Sequence, residues 1–173
     1  TQTVTQRITG GNNIIAGTDD WNNATLDAGG NDLRKEGTYT ISGESVRVTN
    51  RAQNTRFHFG ADKTLVIAKG MTYCASVLYK LNSGTDSLFL QFETKNSSGA
   101  KSYYGNAFKN AKQDIELDNG WKLRWAAFTA TADGYADGLF VSTANDNATV
   151  TNDLTIMHPM VQMGNAPTAW TAS

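Results

Sequence analysis

The sequence has few of the residues that cross-link a chain or hold a metal. It contains one cysteine, Cys74, in 173 residues, so no disulfide can form within the chain and no thiolate metal cluster can be built from it alone. Two histidines are too few for a histidine-rich metal site. A chain of this length can form a sufficient hydrophobic core without such supports. We therefore expect one domain that is stabilised by its core.

Charge is scarce as well. Only 18% of the residues are charged, the net charge is −1 and the isoelectric point is near 6.0. Such a chain has no basic field to attract a phosphate backbone, which argues against nucleic acid as a partner. The longest apolar stretch, around residues 73–79, is far shorter than a membrane span, so a membrane is not an expected partner either.

The sequence does contain a recurring period of two. Apolar and polar residues alternate in short runs, for example at residues 45–49, 56–59 and 87–93. Turn sequences rich in Gly, Asn and Asp separate these runs at a spacing of roughly ten residues. The two prolines, Pro159 and Pro167, lie near the end of the chain. The pattern predicts an all-β antiparallel sandwich or barrel.

The pattern along the chain predicts one structural unit. Residues 1–10 alternate and predict an edge strand or the remnant of a linker, and residues 11–173 are expected to form a single domain. Residues 107–112 could form a short helix. The chain begins with Thr1 and has no apolar signal-peptide core, so we expect it to be a module of a larger protein.

Four stretches, in order, resemble one family. Residues 160–171 look like the closing strand and tail of carbohydrate-binding jelly-roll modules of bacteriophage tail and baseplate proteins. Residues 69–76 and 121–130 are similar to two internal strands of those modules, the second with a Trp followed seven residues later by Phe-Thr-Ala. Residues 12–15 followed by Trp21 are similar to their opening. The resemblance therefore covers nearly the whole chain.

The resemblance implies a fold and a role. The fold is a two-sheet antiparallel jelly roll, a β-sandwich that binds saccharides on a sheet face or at a rim of loops. The implied role is non-catalytic: the module attaches a virion tail to host cell-surface polysaccharide, beside other phage tail proteins. Two alternatives stay open, namely a structural tail or baseplate module that binds no sugar and an accessory module of a secreted bacterial glycosidase.

The resemblance also raises the question of calcium. Related modules often have an acidic pair on the last strand that helps to hold a structural Ca²⁺, whereas this chain has Met157 and His158 there. Calcium prefers several hard oxygen ligands, which these two side chains do not supply. The sequence therefore argues against calcium at this position, and it predicts no cofactor.

Saccharide binding requires flat aromatic groups and fork-shaped polar groups on one surface. Strand alternation places Phe89, Gln91 and Glu93 on one face of their strand, and it places Arg56 and His58 opposite two phenylalanines. These five residues are candidates for such a surface.

Two more residues complete the predicted site. Trp125 points away from the core if Ala126 and Phe128 point towards it, and Tyr104 or its neighbour Tyr103 could reach a rim of loops. We hypothesise that the strand residues share one concave sheet face. A second core layer under a loop is the alternative for Trp125, and an ordinary solvated sheet face is the alternative for the polar residues.

Catalysis has one weak sequence signal. Asp114 and Glu116 share a strand face, as two glycosidase carboxylates could, but they alternate with apolar residues in the way any half-buried strand does. The sequence has no nucleophile elbow, no zinc motif and no phosphate-binding loop. We therefore expect a binding module and no enzyme.

Overall fold

The computed structural model describes residues 12–26, 36–61, 65–104, 113–144 and 148–172, with the backbone alone described at residues 103–104. The predicted strand at residues 1–10 and the predicted helix at residues 107–112 lie outside these ranges. The described residues form twelve strands and two short 3-10 turns. The strands are β1 (Thr25–Leu26), β2 (Thr38–Ser42), β3 (Ser45–Gln53), β4 (Arg56–Gly60), β5 (Val66–Ile67), β6 (Thr72–Gly84), β7 (Phe89–Lys95), β8 (Lys101–Tyr104), β9 (Gln113–Glu116), β10 (Trp121–Thr129), β11 (Gly134–Ser142) and β12 (Val150–Met163).

The strands form two antiparallel sheets. Sheet I has the order β1–β4–β11–β7–β8, and β5 also pairs with β11. Sheet II has the order β2–β3–β12–β6–β10–β9. Most neighbours are distant in sequence, so the chain crosses between the sheets repeatedly. The predicted all-β sandwich with jelly-roll architecture is confirmed.

The core lies between the sheets and is filled by alternate residues of each strand. Trp21 belongs to it: its ring centre lies 5.1 Å from that of Phe57 and 5.2 Å from that of Phe59, and its Nε1 donates to the Glu44 carbonyl at 3.0 Å. The strand residues that form the centre of this core are Val46, Val48, Phe57, Phe59, Val77, Tyr79, Leu90, Phe92, Leu139, Val141, Leu154 and Ile156. The opposite faces of the same strands therefore point outward.

β12 continues past a proline. The sequence pattern predicts a strand at residues 150–157, yet β12 extends to Met163. His158 has a φ of 57°, and the pairing with β6 shifts between Met157 and Met160, so Pro159 occupies a bulge where no ladder hydrogen bond is needed. Beyond the bulge, the Ile14 amide donates to the Val161 carbonyl at 2.8 Å. The opening segment thus pairs with the last strand.

A buried arginine connects the two sheets at one end of the core. Arg124 of β10 is 1% exposed and points inward. Its guanidinium donates to the carboxylates of Asp86 and Asp114 at 2.8 and 2.9 Å, to the Tyr79 hydroxyl at 2.6 Å and to the Leu88 carbonyl at 2.9 Å. Burial opposes the charge of Arg124, but the two carboxylates outweigh it and raise its pKa. This arrangement holds the start of β7 against sheet II.

Candidate functional site

The strand register brings five of the predicted site residues, Arg56, His58, Phe89, Gln91 and Glu93, together on the outward face of sheet I. Phe140 of β11 lies between His58 of β4 and Gln91 of β7. One row away, Ser142 lies between Arg56 and Phe89. In each of the three strands, these residues alternate with residues of the core. The whole set therefore faces away from the core.

Phe140 is the centre of this surface. The guanidinium carbon of Arg56 lies 3.9 Å from the centre of the Phe140 ring, and the His58 ring stacks on Phe140 at 4.4 Å with an interplanar angle of 27°. Nη2 of Arg56 also donates to Oε1 of Gln91 at 3.3 Å. The Phe140 ring therefore holds the Arg56 guanidinium and the His58 imidazole in place. The Gln91 amide holds the guanidinium further.

The surface has a deep part and an accessible part. Arg56, Phe89, Gln91, Glu93 and Phe140 are between 1% and 7% exposed, and we call them the floor. The more exposed groups beside them form what we call the rim: His58, Lys95, Lys101 and Asp137. A ligand that approached this face would meet the rim first and the floor beneath it.

Glu93 and Asp137 form a carboxyl pair at the junction of floor and rim. Burial of Glu93, followed by its hydrogen bond with Asp137, raises the pKa of Glu93. Burial opposes ionisation of Asp137, but the hydrogen bond with Glu93 and the nearby Lys95 outweigh it and lower the pKa of Asp137. The pKa values of the two carboxyl groups are therefore shifted in opposite directions, with that of Glu93 raised and that of Asp137 lowered. Lys95 lies 3.1 Å from Asp137, and Lys101 lies 3.3 Å from Glu93.

Local backbone features create this junction. The pairing of β11 with β7 shifts between Ala136 and Gly138, so Asp137 is an extra residue in a bulge. A bulge changes the direction of its side chain, which explains why alternation alone did not identify Asp137. At Gly138, an added Cβ would collide with the His58 ring and would lie 2.7 Å from the Phe59 carbonyl oxygen. The absent side chain leaves the space that the His58 ring occupies.

Phe140 is a second residue that the sequence analysis missed. It lies in a stretch that alternation predicts as a strand, and its neighbours Leu139 and Val141 face the core. The same alternation therefore placed Phe140 on the outward side. The signal was present, but the fully apolar sequence of residues 139–141 concealed it.

Trp125 does not belong to this surface, and the expectation that it shares a face with the other strand residues is wrong. Trp125 lies on β10, between Ser76 and Gln113, in sheet II. It does point away from the core, because the adjacent Ala126 pairs with the core residue Ala75, and it is half-buried. The sandwich core therefore separates Trp125 from the floor and rim.

The β7–β8 register separates the two adjacent tyrosines. Tyr104 pairs with Phe92, a residue of the core face, and Tyr103 pairs with Glu93. The register position next to the site is thus that of Tyr103. The side chains of both tyrosines lie outside the described part of the chain.

The carboxylates considered for catalysis have structural partners. Asp114 accepts two hydrogen bonds from the buried Arg124, at 2.9 Å each, and Glu116 lies 3.4 Å from Lys122 on the exposed edge strand. Asp114 is therefore fixed to the interior, and the two acids do not form a shared cleft.

The position considered for calcium has other contacts. Nε2 of His158 lies 2.7 Å from Glu44, and the His158 ring stacks on Trp170 at 4.0 Å. With one carboxylate and one imidazole, this position does not fit calcium. Across the described ranges, no group of three or more His, Cys, Asp or Glu residues is placed to hold a metal ion. None of the helices within those ranges is long and apolar enough to cross a membrane.

Comparison with known proteins identifies the fold. No protein-family model and no curated protein match the sequence. Among solved structures, the xylan-binding CBM22-1 domain of Xyn10C from Paenibacillus barcinonensis has a TM-score of 0.52 and 13% identity, over 91% of this chain and 98% of that one. The enzymatically active domain of tailspike protein 4 of bacteriophage CBA120 has a TM-score of 0.54 and 11% identity, over 91% of this chain.

A third similar structure also comes from a phage. The tripod of the bacteriophage Tuc2009 baseplate has a TM-score of 0.50 and 12% identity, over 96% of this chain and 60% of that one. The present chain covers only 22% of the CBA120 tailspike chain. This chain thus has a fold found in both carbohydrate-binding modules and phage tail proteins, as the resemblance implied. At such identities, the likeness shows the fold alone.

Proposed function

We propose that this chain is a non-catalytic carbohydrate-binding module whose site is the floor and rim of sheet I. The observation that carries the proposal is the Phe140 cluster, in which one ring fixes Arg56 and His58 on an outward sheet face. Ordinary solvated sheet faces do not bury an arginine and an amide at 6% and 5% exposure. Such an arrangement is preorganised, and preorganised polar groups lose little entropy on binding.

The groups present match the chemistry of a saccharide. Arg56 supplies planar donors, Gln91 supplies an amide, and Asp137 supplies an ionised acceptor at the rim. The His58 ring is held flat by Phe140 and adds a planar group to the surface. Oε1 of Gln91 accepts the hydrogen bond from Arg56, and Nε2 of Gln91 donates no hydrogen bond within the described part of the chain. That amide nitrogen is available to a sugar hydroxyl.

The carboxyl pair supports binding in preference to hydrolysis. Glycosidases hold their two carboxyl groups about 5 to 9.5 Å apart, so that a sugar or a water fits between them. Glu93 and Asp137 are hydrogen-bonded to each other. A direct hydrogen bond leaves no room for a sugar or a water between the two carboxyl groups.

We further propose that the module serves in a phage tail adhesion device and recognises host cell-wall polysaccharide, beside other tail proteins. Support comes from the likeness in fold to the phage tailspike and baseplate proteins together with the xylan-binding domain. We expect a single site of this kind to bind weakly, and several copies on one virion would strengthen attachment by avidity.

Affinity electrophoresis tests the site, and a panel of xylan, bacterial wall and capsule polysaccharides supplies the probes. The variants are Gln91→Ala and Asp137→Ala on sheet I, with Trp125→Ala on sheet II as the matched control. We expect the wild-type chain to be retarded by at least one polysaccharide. Each sheet I variant should lose about ten-fold or more in affinity, as for a lost hydrogen bond to a charged or buried group. The control should bind as wild type.

Two outcomes would contradict the proposal. Retardation by no polysaccharide on the panel, with a cooperative unfolding transition intact, would exclude saccharide binding of the proposed class. Loss of binding in Trp125→Ala, with normal binding in the other two variants, would move the site to sheet II. Thermal unfolding of each variant is measured beside the affinity, so that loss of fold is separated from loss of contact.

A further inference from the structure

The outward face of sheet II contains a pocket of about 330 Å³ that lies on the opposite side of the sandwich from the proposed saccharide site. Its lining is two hydroxyls, one guanidinium and one amide, from Thr38, Thr49, Arg51 and Gln53. The volume lies at the lower end of the range typical of small-molecule sites. We call these four residues the β2–β3 pocket.

The polar groups of the β2–β3 pocket have no internal role. In the ranges that the structure describes, the four lining side chains make no hydrogen bond and no ion pair. Arg47, the other arginine on the outward face of β3, behaves differently. It donates to both carboxylate oxygens of Asp153, at 3.0 and 2.7 Å, and Asn82 also donates to Asp153. The acid opposite Thr49 is thus paired with Arg47, and no carboxylate of the described residues pairs with Arg51.

The backbone is distorted where it forms the pocket. Ala52 has a φ of 54°, a left-handed conformation that costs a residue with a Cβ free energy. The pairing of β3 with β12 shifts at this point, so that Arg51 lies opposite Thr151 and Gln53 lies opposite Val150. Ala52 is therefore the extra residue of a bulge. Arg51 and Gln53 lie on either side of this bulge, and both line the pocket.

We propose that the β2–β3 pocket is a second binding site, for a hydroxyl-rich ligand that carries one anionic group, either the carboxylate of a uronic acid or the phosphate of a polyol phosphate. Arg51 binds the anion through charge-assisted hydrogen bonds. Gln53 and the two threonines bind hydroxyls. The inference does not depend on the function proposed for sheet I, because it uses different residues on the other sheet.

The absence of an aromatic residue from the pocket lining defines the ligand further. Without a ring to stack on, a neutral sugar has only hydrogen bonds that compete with water, and these contribute little net affinity. The anionic group must therefore supply much of the binding free energy. Binding should weaken as salt rises, because the pocket opens to solvent.

Amide chemical shifts of the ¹⁵N-labelled chain provide the test. The probes are trigalacturonate, its methyl ester as the uncharged match, and glycerol 3-phosphate. The variants are Arg51→Gln and, as the matched control, Lys69→Gln, which removes one exposed positive charge from a turn elsewhere. We expect at least one anionic probe to shift the amides of residues 38, 49, 51 and 53, and the ester to shift them far less. Arg51→Gln should weaken that binding ten-fold or more, and Lys69→Gln should leave it unchanged.

The two anionic probes separate the two sources of the charge. A response to trigalacturonate alone assigns a uronate, a response to glycerol 3-phosphate alone assigns a phosphate, and a response to both supports an anion site of broad specificity. The inference is overturned if neither probe shifts these amides, or if Arg51→Gln and Lys69→Gln bind as wild type does. Shifts confined to the amides of β4, β7 and β11 would also overturn it.

Discussion

Replacing Arg124 by methionine should destabilise the fold without touching either proposed site. The substitution keeps much of the side-chain volume and removes every hydrogen bond that the guanidinium donates to Asp86, Asp114, Tyr79 and Leu88. Breaking a buried ion pair by removing one partner costs about 3 to 5 kcal/mol, since the remaining charge is left unpaired.

The expected cost lies at the lower end of that range. The side chains of Asp86 and Asp114 are 24% and 15% exposed, so water can partly solvate both carboxylates once Arg124 is gone. We therefore expect a loss of about 3 kcal/mol in the free energy of unfolding. In a domain of this size, that loss corresponds to a fall of about 6 to 12 °C in the unfolding temperature.

Urea unfolding, monitored by tryptophan fluorescence, measures the loss in the free energy of unfolding. A second variant, with Arg124→Met, Asp86→Asn and Asp114→Asn together, serves as the control. It should recover part of the stability, because neutral amides carry no unpaired charge. A loss under 1 kcal/mol in the single variant would refute the reasoning, and so would a triple variant that is less stable than the single one.

Two further predictions concern the faces of the sandwich. Gly138→Ala should destabilise the fold by about 1 to 3 kcal/mol in the same urea assay and should displace the His58 ring. The reason is that the new methyl group would collide with the His58 ring and the Phe59 carbonyl oxygen. Unchanged stability would contradict this prediction. On the other face, the hydrogen bond from Arg47 lowers the pKa of Asp153 below its usual 3.8, so its stabilisation is present above pH 3.8 and is lost as the pH falls through the lowered pKa. Acid titrations of unfolding should thus show a shallower loss of stability in Asp153→Asn than in the wild-type chain, and identical curves would exclude a contribution from this pair.

Alternation predicted the outward face of each strand but gave no information on the strand order. The face of Phe89, Gln91 and Glu93 follows from a period of two within one strand, and the structure places these residues as alternation requires. Whether β10 joins that sheet depends on hydrogen bonds to β6 and β9, which local sequence does not encode. For this reason Trp125 was correctly predicted to face outward and was assigned to the wrong surface.

Bulges account for most of the remaining differences, and they lie where polar groups are concentrated. One extra residue in β11 places Asp137 beside Glu93, another in β3 separates Arg51 from Gln53, and a third lets β12 continue through Pro159. A bulge interrupts the period of two, so alternation does not predict which way the side chain of the bulged residue points. Asp137, which alternation did not predict, lies at such a departure from the regular ladder, and the β2–β3 pocket lies beside another. Asp137→Ala tests whether the departure in β11 serves binding, since it removes the side chain that this bulge directs and leaves the sheets themselves intact.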